Sequence, residues 1–204
     1  RDVAVTGVQT CALPIWPIGE LVAASQATVL LSFVGVIKGR RVLDVGTGTG
    51  RAAFLLAQAG GRVTGVDASE EMLAIARRRA STEQVAVEFL SGDAHHLAFG
   101  DRAFDVAVSF RVLMHTPGWR TCIAELCRVA SERVVFDYPS ARSLAAVQSL
   151  TRKALYKVGL AQEPYRVFLD REVAAEIDRA GFRIVGVDRQ FVLPIALHKA
   201  VGSS

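Results

Sequence analysis

Two spacings of apolar residues alternate along this chain and outline its architecture. From residue 17, "GELVAASQATVLLSFVGVI" carries its apolar residues at the intervals of an amphipathic helix, and "RVLDV" follows as a strand. "RAAFLLAQA" predicts a second helix, closed by Gly60 and Gly61, before the strand "RVTGVD". In "SEEMLAIARRRA", Ser69 stands at the cap position with Glu70 and Glu71 in the first turn, a combination that favours a helix start. "VAVEFL" and "FDVAVSF" read as strands, "WRTCIAELCRVA" as a helix and "RVVFDY" as a fifth strand. A helical insertion over 141–160 precedes "DREVAAEIDRAGF", a helix with Asp170 as cap and Gly181 as stop; "RIVGVDRQF" is the sixth strand. Strands alternating with helices predict a three-layer α/β fold, a mostly parallel sheet covered by helices on both faces. No internal repeat, low-complexity segment or interdomain linker breaks the pattern, so one domain is expected.

Composition narrows the function. The 204 residues are 51% hydrophobic, enough for a sizeable core, yet "ATVLLSFVGVI" is too short to span a bilayer. The net charge of +4 is spread along the chain, and arginines on wet helix faces account for it; no nucleic-acid partner is expected. Cys11, Cys122 and Cys127 fit neither a disulfide framework nor a zinc spacing, which suits a reducing, cytoplasmic setting and no metal site. Cys122 and Cys127 lie five apart on one helix and read as packing residues.

The stretch "VLDVGTGTG", residues 42–50, joins a strand to a helix. In an open sheet of this kind ligands bind beyond the carboxyl ends of the strands, where the strand order reverses. Glycines let a ligand approach the main chain, and the following helix offers unpaired N–H groups. A dinucleotide fingerprint is G-x-G-x-x-G, whereas Gly46, Gly48 and Gly50 make G-x-G-x-G. Asp44 would repel a pyrophosphate and welcome an ammonium group. Asp67 ends the second strand, where a carboxylate can accept bonds from both ribose hydroxyls, and Asp93 follows the third, within reach of an adenine amino group. S-adenosylmethionine (SAM) has an amino-acid end, a sulfonium and no phosphate.

With these residues in place, residues 40–137 resemble a class I SAM-dependent methyltransferase of the type 11-like, small-molecule group that includes quinone-biosynthesis and biotin-pathway enzymes. "VLDVGTGTG", "VTGVDASEEML", "GDAHHLAF" and "FDVAVSFRVLMH" match its successive motifs, and "ELCRVA" matches the approach to the fifth strand. The resemblance implies a Rossmann-like sheet, SAM as cofactor and a small-molecule methyl acceptor. By position it places Gly46, Thr47 and Gly48 at the methionine part and Asp67 at the ribose, with Asp44, Gly50 and Ala68 also among the cofactor-binding residues. Met72 falls on the adenine face, although it also reads as a core residue of its helix. Asp93 and Ala94 fall at the adenine edge, and Phe110 and Arg111 below the sulfonium. The domain is expected over 16–204, with a core at 40–139 and a lid or acceptor region at 140–168.

The chemistry asks little of the protein, because SAM carries an activated methyl and the enzyme mainly aligns a nucleophile and excludes water. For an O, N or C acceptor that must lose a proton, His115 is the candidate base, with a surface or capping role as its alternative. His95 and His96 are adjacent and lack a third ligand, so they read as a solvated pair. In 140–168, Tyr156, Tyr165 and Phe168 would suit a partly apolar, lipid- or quinone-like acceptor, and Arg152, Lys153 and Lys157 could meet an acidic headgroup; an ordinary amphipathic helix fits equally. Two other functions remain open here: a non-catalytic SAM-fold binding module or inactive fragment of a longer methyltransferase, and a nicotinamide oxidoreductase, which the glycine spacing opposes.

Both chain ends carry further expectations. The chain starts at Arg1, and "VTGVQTCALPI", residues 5–15, resembles a translated sequencing adapter. Residues 1–15 are therefore expected to lie outside the evolved fold, with native N-terminal sequence missing, and their deletion to leave stability nearly unchanged. At the other end the resemblance implies a seventh, antiparallel strand between the fifth and sixth. Pro194 in "VLPIALHKAVGSS" opposes one, so the fifth and sixth strands are expected to flank a gap and "PIALHKAV" to form a short helix.

Overall fold

The computed structural model describes residues 1–7, 18–141 and 166–189. In chain order these form β1 (Asp2–Gly7), α1 (Ile18–Val34), β2 (Arg41–Val45), α2 (Arg51–Gln58), β3 (Arg62–Asp67), α3 (Glu70–Glu83) and β4 (Val87–Ser91). There follow β5 (Phe104–Ser109), a 3-10 turn (Leu113–His115), α4 (Trp119–Val129), β6 (Ala130–Asp137), α5 (Asp170–Arg179) and β7 (Arg183–Arg189). The strands make one sheet in the order β4-β3-β2-β5-β6-β1-β7, and every pairing between them is parallel. This is the three-layer, Rossmann-like α/β fold read from the sequence. Among the described residues no helix is long and apolar enough to cross a membrane.

A parallel strand covered on both faces must be apolar on both, and these strands are. Leu43, Val45 and Phe136 enter the core beneath α4 and α5, where Trp119, Ile123 and Ile177 are fully buried. Val42, Val108 and Val135 enter the opposite core with Leu30, Phe54 and Leu73 from α1, α2 and α3. Ser69 caps α3 as expected, its Oγ accepting the Met72 N–H at 3.3 Å. Cys122 and Cys127 are buried on α4, and burial pushes their thiols up to about 11 and about 12, so they are inert packing groups.

The expected gap is where the structure departs most from the sequence reading. β1 fills it, running parallel to both neighbours, with Val3 opposite Val134 of β6 and Ile184 of β7. Residues 2–7 are thus part of the fold, contrary to the expectation that 1–15 lie outside it. The cause is physical: β6 and β7 would each leave a row of unpaired backbone groups, and "VAV" satisfies both while serving both cores. Val3 and Val5 join one core and Ala4 the other, at 0%, 2% and 1% exposure. The helix expected for "PIALHKAV" lies outside the described residues, as do Tyr156, Tyr165, Arg152, Lys153 and Lys157.

Two smaller corrections concern the approach to α5. Phe168, expected in an acceptor region, is 1% exposed and stacks edge-on against Trp119 and Tyr138, with ring centroids 5.1 and 5.7 Å away. Its apolar ring gains more from the core than from a solvent-facing pocket. Asp170 is the first residue of α5 instead of its cap, and its Oδ1 accepts bonds from Ser140 Oγ at 2.5 Å and Tyr138 Oη at 3.2 Å.

Candidate functional site

The strand order reverses between β2 and β5: the chain builds outward through β3 and β4, then returns to the other side of β2. At the carboxyl ends of that pair opens a cavity of about 480 Å³. Its walls are Asp44 and the glycine turn through Thr49, then Arg51 and Ala52 of α2, Met72 of α3, and Phe110, Arg111 and His115 beyond β5. This is the place an open parallel sheet offers a ligand.

The turn is held from below. The N–H groups of Gly46 and Thr47 both donate to the Val66 carbonyl of β3, at 2.7 and 3.0 Å. Gly46 sits at φ +73° and Gly48 at +54°, in the left-handed region, and α2 begins directly after. A Cβ on Gly48 would meet nothing within 4 Å, so the main chain there is open to a ligand.

Asp44 is 1% exposed, and its Oδ2 accepts the Thr47 hydroxyl at 2.7 Å. Burial pushes its carboxyl up to about 6, against the opposing bonds from Thr47 and the Ala53 N–H. Asp67, at the end of β3, accepts the Gly48 N–H on Oδ2 at 2.7 Å and the Ser69 N–H on Oδ1 at 2.9 Å. Each oxygen retains a second acceptor position. Asp67 therefore ties the glycine turn to the start of α3.

The far wall is the loop after β5. Arg111 adopts φ +62°, uncommon for a residue with a side chain, and its N–H donates to Asp137 Oδ1 at 2.5 Å. Asp137 ends β6 at 1% exposure, and its Oδ2 has no hydrogen-bond partner among the described residues. Burial raises its carboxyl to about 7 despite the nearby Arg111 and Arg51 charges. His115 closes the 3-10 turn; partial burial and the Arg111 charge lower its pKa, leaving a neutral imidazole at neutral pH.

Of the residues singled out from sequence, Asp44, Gly46, Thr47, Gly48, Met72, Phe110, Arg111 and His115 come together on this one cavity. Met72 is 41% exposed, which rules out the core role open to it in the sequence. Gly50, Asp67, Ala68, Asp93 and Ala94 are not on its wall. Gly50 caps α2; Asp93 Oδ1 lies 2.6 Å from His95 Nδ1 and accepts the His95 N–H at 2.9 Å, closing its own turn. Sequence reasoning missed Arg51, Thr49, Ala52 and Asp137. Asp137 carried the same signal as Asp67, an acid ending a strand, while nothing in "GTGTGR" marked Arg51 as part of a wall.

The match to known proteins falls on the same region. Residues 42–133 match a family described as a methyltransferase domain. An uncharacterized 37.1 kDa protein in a transposon of Streptomyces fradiae is 33% identical over 165 residues, 72% of this chain and 47% of its own length. A demethylmenaquinone methyltransferase of Thermus thermophilus is 39% identical over 108 residues, 49% of this chain and 48% of its own. This chain thus spans about half the length of these curated relatives. The crystal structure of magnesium protoporphyrin IX methyltransferase from Synechocystis with bound SAH superposes with a TM-score of 0.66 at 22% identity, covering 84% of this chain and 80% of that one.

Proposed function

We propose, from the match of residues 42–133 to a methyltransferase domain, that the chain transfers a methyl group from SAM to a small-molecule acceptor. The observation that carries the reading is the single cavity joining the buried Asp44 carboxyl, an open glycine turn and the loop that bears His115. The residues present fit this cofactor. Among the described residues no cation pairs with the buried Asp44, which would take an ammonium group. The open main chain at Gly48 would border the methionine part, with Gly46, Thr47 and Gly50 shaping the turn. Asp67 and Ala68 would face the ribose, Met72 the adenine face, and Asp93 and Ala94 the adenine edge.

SAM supplies an activated methyl group on a sulfonium. The chain's own part is to orient the acceptor, exclude water and accept a proton where the nucleophile must lose one. Phe110 and Arg111 form the wall on the side of the transfer, and His115 Nδ1 or Nε2 is the proton acceptor there. The acceptor atom is an O, N or C nucleophile, and turnover with candidate acceptors separates this reading from a non-catalytic binding module.

Isothermal titration with SAM tests the site. Asp67→Ala should weaken binding at least about tenfold, because two charge-assisted bonds contribute roughly 1.5–3 kcal/mol each. An unchanged Kd would leave Asp67 as only a brace for the turn.

Asp44 adds a pH dependence. Its protonated form cannot pair with an ammonium, so affinity should fall as pH drops through about 6, by about tenfold between pH 7 and pH 5. The sign for stability is opposite. The folded carboxyl sits above its ordinary value of 3.8, so the unliganded fold loses stability as pH rises from there through about 6. Titrations at several pH values would check the first, and Asp44→Asn should flatten the profile.

A further inference from the structure

Beside the cofactor cavity lies a second one, of about 250 Å³, between α1 and α2. Gln26, Ala27 and Leu30 of α1 form one side, and Arg51, Ala52 and Leu55 of α2 the other, with Phe110 between them. Arg51, Ala52 and Phe110 belong to both cavities, so the two share a wall. The smaller one is apolar except for two groups. Gln26 is 6% exposed, and its Oε1 accepts a bond from Arg51 Nη2 at 2.8 Å. That bond fixes the guanidinium on the shared wall without neutralising it.

Among the described residues no carboxylate lies within ion-pair distance of Arg51. Asp137 is the acid whose charge it feels, and that carboxylate already holds the Arg111 amide. Arg51 and Arg111 together face the one Asp137 carboxylate, so positive charge exceeds negative in this corner. A guanidinium oriented by a neutral amide, over an apolar hollow, suits a ligand whose apolar body ends in an anion.

We propose that this cavity is the acceptor subsite, taking a flat or short-chain apolar body that carries one acidic group, which Arg51 binds. The proposal rests on the methyl-transfer reading, since the shared wall brings such a ligand alongside the cofactor cavity. Phe110 and Ala52 would contact both molecules, and Ala27, Leu30 and Leu55 would set the width of the body accepted. Asp44 serves the cofactor's ammonium, so the two opposite charges of the site divide between cofactor and acceptor.

Two fluorescent dyes of the same aromatic body test this, with SAH present: anionic anilinonaphthalene sulfonate and neutral phenylnaphthylamine. Both should bind the wild-type chain at one site. Arg51→Gln should raise the Kd of the anionic dye by about tenfold or more, with the neutral dye within about twofold and any loss of SAH affinity smaller than that of the anionic dye. Ala27→Phe, which fills the hollow, should displace both dyes while SAH still binds. An unchanged anionic-dye Kd in Arg51→Gln would overturn the proposal. So would a weakened SAH Kd with the dyes unaffected, because Arg51 would then serve the cofactor's carboxylate. Undiminished dye binding to Ala27→Phe would place the dyes elsewhere and overturn it too. Failure of SAH to bind the wild-type chain would instead refute the methyl-transfer reading, and the dye arms without SAH would still report on the cavity.

Discussion

Deleting residues 1–7 is expected to lower the melting temperature by about 6–24 °C, the largest stability change foreseen for this chain. β1 pairs along its length with β6 on one side and β7 on the other, so its loss opens two ladders at once. Val3 and Val5 are 0% and 2% exposed, and burying each valine contributes roughly 1.5–3 kcal/mol. Together they amount to about 3–6 kcal/mol, a large share of the 5–15 kcal/mol that typically holds a domain folded. In a domain of this size each kcal/mol moves the melting temperature by about 2–4 °C, which gives the range above. Comparing thermal unfolding of the full chain with residues 8–204 decides the matter. A shift below about 2 °C would mean that β1 contributes nothing in its slot, as the adapter-like sequence alone suggested.

Gly46→Val should abolish cofactor binding and destabilise the fold together. A Cβ built on Gly46 would stand 2.0 Å from Val112 Cγ2, and the residue holds φ +73°. The left-handed conformation alone costs a branched residue about 1–2 kcal/mol. The overlap is the larger fault, because Val112 leads into the 3-10 turn that carries His115. Forcing the two apart separates the glycine turn from the Phe110–His115 loop, the opposing walls of the cavity. SAM affinity should therefore fall by more than about a hundredfold, well over 2.7 kcal/mol of lost binding. Gly39→Ala is the control: at φ +74° it carries the same backbone strain, its Cβ meets nothing within 4 Å, and it lies off the cavity. Wild-type affinity in Gly46→Val, read by titration calorimetry, would show that the ligand binds elsewhere.

Local patterns carried most of the architecture. The order of strands and helices, the Ser69 cap, the glycine turn and the strand-end acids Asp44 and Asp67 were all legible, because each depends on neighbours within a few residues. The fate of Met72 was not, since a helix face is defined only by what packs against it, and α3 turns this residue to the cavity. Arg51 and Asp137 acquire their roles from Gln26 and Arg111, 25 and 26 residues away along the chain. Phe168 went to the core because Trp119 and Tyr138 offered it more buried contact than solvent did.

By itself, then, the sequence determined the α/β alternation, the glycine turn at the end of β2 and the acids Asp44 and Asp67 on the two strands beside it, β2 and β3. Only the tertiary structure decided which strand stands between β6 and β7, and that the cofactor cavity shares a wall with a second, apolar one. The reason is the range of the forces involved. Periodicity, capping and turn chemistry act over a few residues, whereas an open strand edge takes whichever segment can satisfy its backbone and bury its side chains. "DVAVTG" did both at β6, more than 120 residues away along the chain.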